Sequence, residues 1–141
     1  MACSDNVVRA GLTPKFKDVK TLVDMLDYKM SKVNLVEPIK QNEYIFEYKP
    51  LVDEFSVQRI EILSKEEEIN FMLPVMNKYS ILIIIKSDNV LFDDGHHQSE
   101  LNNGLVFFID KNIQIQVKAL NSDQSSYLLA YRAYVNNDLR S

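Results

Sequence analysis

The stretch IQIQVKAL, residues 113–120, decides the fold class. Its apolar and polar residues alternate, with Ile113, Ile115 and Val117 set against Gln114, Gln116 and Lys118. Successive side chains of a β-strand point to opposite faces, so this pattern predicts a strand with one face on a core and the other in water. We therefore expect a strand rather than a helix across residues 113–120.

Seven further segments have strand character and follow one another at intervals of about ten residues, separated by Asn, Asp, Ser and Gly clusters. They are EYIFEY (43–48), FSVQRIEIL (55–63), INFML (69–73), SILIIIK (80–86), NVLF (89–92), LVFFI (105–109) and YLLAYRAYV (127–135). Within 55–63 the alternation shifts phase near Arg59, which predicts a β-bulge. Eight short strands joined by polar turns predict a mainly β fold, either a β-sandwich or a jelly roll.

One short helix is expected before the strands. Its apolar residues recur at helical spacing, at Val19, Leu22, Val23, Leu26 and Met30. This spacing predicts an amphipathic helix from 19 to 30, with Asp18 as its N-cap. Before the helix, the β-branched residues at 7 and 8 followed by Gly and a Thr-Pro pair predict a strand that leads into a turn. The boundary between helix and sheet lies between residues 31 and 42.

Composition excludes several function classes. The 141 residues suffice for a hydrophobic core, and the net charge of −4 gives no electrostatic reason to expect a nucleic-acid partner. The longest apolar run, 81–85, is too short to span a bilayer, and the N-terminal stretch does not look like a signal peptide. Cys3 is the single cysteine and forms no internal disulfide, which fits a reducing compartment. We expect a cytoplasmic protein without a membrane partner.

The N-terminal stretch MACSDNVVRAGLTPK, residues 1–15, resembles the signature of the type I phosphomannose isomerases (mannose-6-phosphate isomerases). That signature reads H-A-Y, a short spacer and E-x-M-A-x-S-D-N-x-V-R-A-G-x-T-P-K, and residues 1–15 match its second half at every fixed position. FKDVKTLVDMLDY (16–28) resembles the helix that follows the signature. LNNGLVFFI (101–109) resembles a turn and strand of the family's C-terminal cupin-like domain. The resemblance covers the whole chain and is strongest in the first thirty residues.

The resemblance implies a cupin-like (jelly-roll) β-sandwich preceded by a strand or loop and one short helix. Residues 1–35 would be the remnant of a catalytic cupin domain, and residues 36–141 a C-terminal cupin-like domain. The implied activity is zinc-dependent isomerisation between mannose 6-phosphate and fructose 6-phosphate, which belongs to mannose metabolism and the supply of GDP-mannose. Met1 would then be an internal methionine of a longer polypeptide.

The resemblance also assigns residues to the active site. Arg9 corresponds to the family's active-site arginine, whose charged planar fork suits an enediolate. Asp5 could orient Arg9 or contact a sugar hydroxyl, and Lys15 could attract the substrate phosphate. The alternatives are that Arg9 is only the structural partner of Asp5, and that Asp5 and Lys15 are each a solvated charge or part of a local salt bridge.

The family's zinc ligands are a Gln and a His two residues apart, a Glu, and a His shortly before the signature. All of them lie upstream of Met1, so this chain is expected to carry no metal ligand and to bind no zinc. An open catalytic zinc site needs about three protein ligands. The expected partners are therefore a sugar phosphate and the missing N-terminal catalytic portion of the same polypeptide. This chain alone is expected to be inactive.

Two other patterns favour ordinary structural roles. DDGHHQSE, residues 93–100, contains both histidines, but adjacent histidines on a strand point to opposite faces, so we interpret the segment as a polar hairpin turn rather than a metal site. The aromatic groups Tyr44, Phe46, Tyr48 and Tyr127, Tyr131, Tyr134 could line a sugar site, yet aromatic residues more often pack on sheets. The alternative function is a non-catalytic cupin-like module used for binding or assembly.

Overall fold

The computed structural model describes residues 8–9, 11–12, 14–30, 32–33, 35–64, 69–120 and 124–136. The chain divides into two compact units, Met1–Leu35 and Val36–Ser141. Within the described residues the first unit contains one helix, and the second contains ten strands. In this part of the chain no helix has the length and apolar character needed to cross a membrane.

The helix of the first unit, α1, runs from Val19 to Met25 and is capped by Asp18 as predicted. The predicted end at residue 30 is wrong, because Leu26 already has an extended backbone (ψ 131°). The Lys29 N–H then donates to Asp27 Oδ1 at 3.0 Å, a local turn that competes with helical hydrogen bonding. No residue of α1 is buried, so tertiary packing does not lengthen the helix.

The strand predicted ahead of the helix is not found in the described residues there. Residues 8–9, 11–12 and 14–18 have loop and bend conformations. Pro14 and the two residues after it are exposed, so this part of the chain has no sheet neighbour to pair with. The described residues that lead to α1 therefore form a loop.

The second unit consists of two antiparallel sheets. Its strands are β1 Ile39–Lys40, β2 Ile45–Tyr48, β3 Ser56–Ser64, β4 Asn70–Leu73, β5 Ser80–Asp88, β6 Val90–Asp93, β7 Gln98–Glu100, β8 Val106–Ile109, β9 Ile115–Ala119 and β10 Ser126–Tyr134. One sheet has the order β1-β2-β3-β10-β5-β8 and the other β4-β9-β6-β7. All eight predicted strands are present, and the very short β1 and β7 are additional. The predicted mainly β fold class is confirmed.

The bulge predicted near Arg59 is wrong. Strand β3 pairs with β10 without interruption, from Ser64 opposite Ser126 to Ser56 opposite Tyr134. The sequence pattern changes phase there because Ser56 and Gln58 are polar residues on the buried face. The register shift of this sheet lies instead between β10 and β5, at Leu129/Ala130.

The core lies between the two sheets. The six-stranded sheet contributes Ile60, Leu82 and Leu128, which are fully buried, and the four-stranded sheet contributes Val90 and Val117 in the same way. These residues belong to one continuous apolar cluster. Burial of a large aliphatic side chain stabilises a fold by about 1.5–3 kcal/mol, so this cluster is the main source of stability in the unit.

We expect Leu82→Ala to lower the free energy of unfolding by about 3 kcal/mol, because it leaves a cavity in a close-packed core. Its neighbour on β5 is a matched control, since Ile81 points away from the core and is exposed. Ile81→Ala should cost less than about 1 kcal/mol. Urea unfolding followed by circular dichroism measures both values, and equal losses would contradict the assigned inner and outer faces of β5.

Candidate functional site

The loop that carries Arg9 is closed by one backbone hydrogen bond. The N–H of Asp18 donates to the carbonyl oxygen of Arg9 at 3.0 Å. Arg9 is half-buried, whereas the intervening residues that the structure describes are exposed. The hydrogen bond holds the backbone of Arg9 beside the first residue of the helix, so α1 provides a fixed point for the predicted catalytic side chain.

Asp18 supports this arrangement as a helix cap. Its Oδ1 accepts from the Thr21 N–H at 3.0 Å, and its Oδ2 accepts from the Thr21 hydroxyl at 2.7 Å. The bond from the Thr21 N–H, followed by the one from its hydroxyl, lowers the pKa of Asp18 below its usual value. The cap satisfies a donor that the first helical turn leaves without a partner. These hydrogen bonds thus define the start of α1, and the bond from the Asp18 N–H holds the backbone of Arg9 next to it.

The other two predicted substrate residues are placed differently. Lys15 lies in the same loop as Arg9 and is exposed. Asp5 lies outside the described residues, as does Thr13 of the Thr-Pro pair. The pairing of Asp5 with Arg9 and the contact of Lys15 with phosphate therefore stay predictions.

The segment 93–100 forms the predicted hairpin between β6 and β7. Asp94 Oδ1 accepts from the N–H groups of His96 and His97 at 2.8 and 2.7 Å, and Gly95 has a φ of 85°, which glycine adopts readily. Both histidines are exposed, and His97 Nδ1 lies 3.9 Å from Asp94 Oδ2. Among the residues that the structure describes, no three His, Cys, Asp or Glu side chains are grouped so as to hold a metal.

Asp93 anchors this hairpin to the neighbouring strand. Its carboxylate pairs with Lys118 of β9 at 2.6 Å and accepts from the Gly95 N–H at 2.8 Å and the Gln98 amide at 3.0 Å. The bond from Lys118, with those from Gly95 and Gln98, lowers the pKa of Asp93 to about 2. The hairpin therefore depends on an ionised carboxylate.

A cavity of about 280 Å³ lies next to the same hairpin. Its apolar lining includes Phe92, Phe107 and Ile115, and its polar lining includes Asp94 and His97. An apolar pocket with a few polar groups is the usual form of a small-molecule site, although this one is near the lower end of their size range. The sequence did not predict it, because residues of four different strands and loops meet there.

A buried polar cluster inside the sandwich was also missed. Arg132 is only 1% exposed, and its Nε and Nη1 donate at 2.9 Å to the Ser80 hydroxyl and the Pro74 carbonyl. Burial lowers its pKa. Glu47, on the same inner side of the sheet, accepts hydrogen bonds from the Tyr134 hydroxyl and the Gln41 amide. The signal was present in the sequence, because Arg132 is in phase with the core residues Leu128 and Ala130.

The two aromatic groups do not form one site. Tyr134 is buried on the inner face of β10, while Tyr127 and Tyr131 lie on its outer face. Phe46 and Tyr48 lie on the outer face of β2, where the Arg59 guanidinium stacks 4.6 Å from the Phe46 ring centre. These aromatic side chains pack on the sheet, as the simpler interpretation predicted.

We expect Asp93→Asn to lower the melting temperature at about pH 6 and to have less effect as the pH falls from about 4 to about 2. The pKa of Asp93 is about 2 in the folded protein, below its ordinary value of 3.8. The stabilisation by the ionised carboxylate is therefore complete above the pKa of the unfolded chain and is lost as the pH falls through the pKa of the folded protein. Thermal unfolding between about pH 2 and 6 checks this. Asp88→Asn, at an exposed carboxylate on β5, is the control, and a pH-independent loss for Asp93→Asn would contradict the prediction.

Comparisons with known proteins identify relatives along nearly the whole chain. A probable mannose-6-phosphate isomerase of Dictyostelium discoideum is 38% identical over 144 residues, which covers 97% of this chain and 31% of the relative. The mannose-6-phosphate isomerase of Mus musculus is 37% identical over 84% of this chain and 29% of its own length. Mannose-6-phosphate isomerase 2 of Arabidopsis thaliana is 34% identical over 97% of this chain and 29% of its own length. No protein-family model matches the chain.

Solved structures agree with the fold. A mannose 6-phosphate isomerase from Salmonella typhimurium, bound to its substrate fructose 6-phosphate and to zinc, superposes with a TM-score of 0.56 at 21% identity. The match covers 96% of this chain and 32% of that one. This chain spans about a third of the length of the relatives it matches. The cupin-like sandwich implied by the N-terminal signature is thereby confirmed, and the 141 residues belong with the type I phosphomannose isomerases, whose C-terminal portion they match.

Proposed function

We propose that this chain is the C-terminal part of a zinc-dependent mannose-6-phosphate isomerase and that it contributes the active-site arginine, Arg9. The observation that carries the proposal is the identity of 38% along 97% of the chain with a probable mannose-6-phosphate isomerase. The signature match of residues 1–15 supports the role of this segment in particular. The reaction interconverts mannose 6-phosphate and fructose 6-phosphate, which places the enzyme in mannose metabolism and GDP-mannose supply in the cytoplasm.

The chemistry explains why an arginine is needed. Isomerisation moves a proton between two neighbouring sugar carbons, and negative charge develops on the sugar oxygens in an enediolate-like state. A cation aimed at that charge stabilises the transition state more than the bound substrate. The Arg9 guanidinium stays charged and offers several donors in a rigid plane. Its backbone is held by the bond from Asp18, so the side chain starts from a fixed position.

Lys15 and Asp5 complete the proposed substrate contacts. Lys15 is exposed in the same loop as Arg9, where an ammonium group can attract the phosphate of the substrate. Asp5 would orient the guanidinium of Arg9 or accept a bond from a sugar hydroxyl. Both assignments rest on the resemblance to the family.

The described residues do not provide a zinc site. No group of three His, Cys, Asp or Glu side chains able to hold a metal occurs among them. In the proposed enzyme the zinc is held by ligands in the N-terminal catalytic portion, and residues 36–141 form a cupin-like domain beside it. The tasks of metal binding and transition-state stabilisation are then divided between two parts of one polypeptide.

A non-catalytic cupin-like binding module is the second candidate. The cavity of about 280 Å³ beside Phe92 and His97 favours it, because such a pocket could bind a small molecule without any catalytic residue. The coding sequence upstream of Met1 separates the two candidates. An in-frame region that encodes the Gln-x-His pair, the Glu and the later His supports the isomerase, and a region without them supports the binding module.

In the full-length enzyme we expect Arg9→Ala to lower turnover by on the order of 100-fold to 1,000-fold with little change in melting temperature or zinc content. Arg9→Lys should restore activity only partly, because an ammonium lacks the planar fork. Lys20→Ala, which removes an exposed charge from α1, is the control and should leave turnover unchanged. Loss of thermal stability with normal turnover per folded molecule would remove Arg9 from the mechanism.

The 141-residue chain alone should not isomerise mannose 6-phosphate and should not bind stoichiometric zinc, because the zinc ligands that the family resemblance implies all lie upstream of Met1. Metal analysis after purification without chelators, together with a coupled assay for fructose 6-phosphate, measures both properties. One tightly bound zinc per chain would show that the ligand assignment is wrong.

A further inference from the structure

The outer face of the six-stranded sheet is apolar where β5 and β8 meet. Five side chains, which we call the isoleucine face, point away from the core there, namely Ile81, Ile83, Ile85, Val106 and Phe108. Their exposed fractions lie between 39% and 69%. Half-exposed side chains of this size leave on the order of 500 Å² of apolar surface in water, which is in the upper part of the range for the largest apolar patch of a soluble monomer, a patch that is often functional.

These side chains form one continuous surface because their strands are paired. Ile81 lies directly opposite Phe108, and Ile83 lies opposite Val106. At one end Tyr79 stacks on Phe108 with ring centres 5.6 Å apart. A shallow groove of about 260 Å³, lined by Tyr79, Ile81 and Phe108 among others, extends the surface toward Val135.

The outer face of the four-stranded sheet has a different character. On it the Gln116 amide donates to Asn70 Oδ1, and Lys118 pairs with Asp93. That sheet alternates apolar and polar residues as a sheet with one wet face does. Strand β5 is apolar on both faces, which is typical of a strand that is covered on both sides. The isoleucine face is therefore a property of one sheet and not of the domain in general.

Two lysines lie at the edge of the isoleucine face. Lys111 Nζ lies 4.7 Å from the Tyr79 ring centre, and Lys86 Nζ lies 5.3 Å from the Tyr127 ring centre. An apolar centre with charged groups at its rim is the usual anatomy of a protein–protein interface. The complementary surface would be apolar, with carboxylates placed to meet these two lysines.

We propose that the isoleucine face is the surface on which the N-terminal two-thirds of the isomerase packs against this domain. The inference rests on the proposed function. Relatives that match 97% of this chain extend to about three times its length, so each carries a large additional portion in the same polypeptide. The Salmonella structure likewise continues beyond the matched 32%. This additional portion is therefore the partner that we expect to cover the isoleucine face.

Cysteine labelling in two contexts tests the proposal. Ile81→Cys is placed in the 141-residue chain and in the full-length enzyme, and the rate of maleimide labelling is read at the peptide level by mass spectrometry. In the full-length enzyme we expect labelling at residue 81 to be at least about ten-fold slower, because it requires opening of the interface. Met72→Cys is the matched control, since Met72 is an exposed apolar residue on the outer face of the other sheet. It should label equally fast in both contexts.

Each other outcome overturns the proposal in a recognisable way. Equal labelling of Ile81→Cys in an active full-length enzyme shows that the face is uncovered, while the isomerase function stands. Labelling of the 141-residue chain that slows with protein concentration, with a dimer mass in light scattering, shows that a second copy covers the face. A full-length protein that has no isomerase activity refutes the proposed function, whatever the labelling rates. The same holds if the Arg9→Ala variant has unchanged turnover.

Discussion

The long central strand β10 is the constraint on which the rest of the second unit depends. It pairs with β3 along all nine of its residues and with β5 along eight, Tyr127 to Tyr134, with one shift at Leu129/Ala130. The inner side chains Leu128 and Ala130 then meet the core, and the same alternation carries Arg132 and Tyr134 inside. A single register thus determines which residues of three strands are buried and which form the outer surface.

The buried polar groups follow from that register. Arg132 lies in the sandwich because its position on β10 faces inward, and its bonds to Ser80 and Pro74 satisfy donors that would otherwise be costly to bury. Both partners are neutral, so the pKa of Arg132 falls through desolvation. Ser56 Oγ and Gln58 Oε1 are buried on the inner face of β3, and neither has a hydrogen-bond partner within the described residues. Around Arg132 the sandwich is therefore held by hydrogen bonds as well as by apolar packing, whereas these two oxygens of Ser56 and Gln58 on β3 lie on the inner face without such bonds in the described part of the chain.

Most of the fold could be predicted from the sequence because its strands are long or strictly alternating, as residues 113–120 show. Strands β1 and β7 were missed because two or three exposed residues give no periodic signal. The helix was predicted too long because spacing alone cannot show that α1 lacks a packing partner, nor that Asp27 closes a turn behind it. The bulge near Arg59 was predicted wrongly because Ser56 and Gln58 are polar residues in core positions, which interrupts the expected alternation.

The candidate site could be predicted only through its signature. Nothing in the periodicity distinguishes Arg9 from any other half-buried arginine, and its backbone bond comes from Asp18, nine positions further along the chain. The role of Arg9 depends on a match of residue types at fixed spacing. The cavity next to His97 and the Arg132 cluster had no such signature, because each is assembled from segments distant in sequence.

The apolar outer face of β5 and β8 also bears on how such a protein is made. Synthesis proceeds from the N-terminus, and domains tend to fold in the order in which they leave the ribosome. In the proposed isomerase the C-terminal domain emerges last, when the surface that receives it is already folded. Strand β8 lies at the edge of its sheet, and among the described strands it pairs on one side only. Late emergence would keep both this edge and the adjoining isoleucines from meeting other nascent chains in the crowded cell.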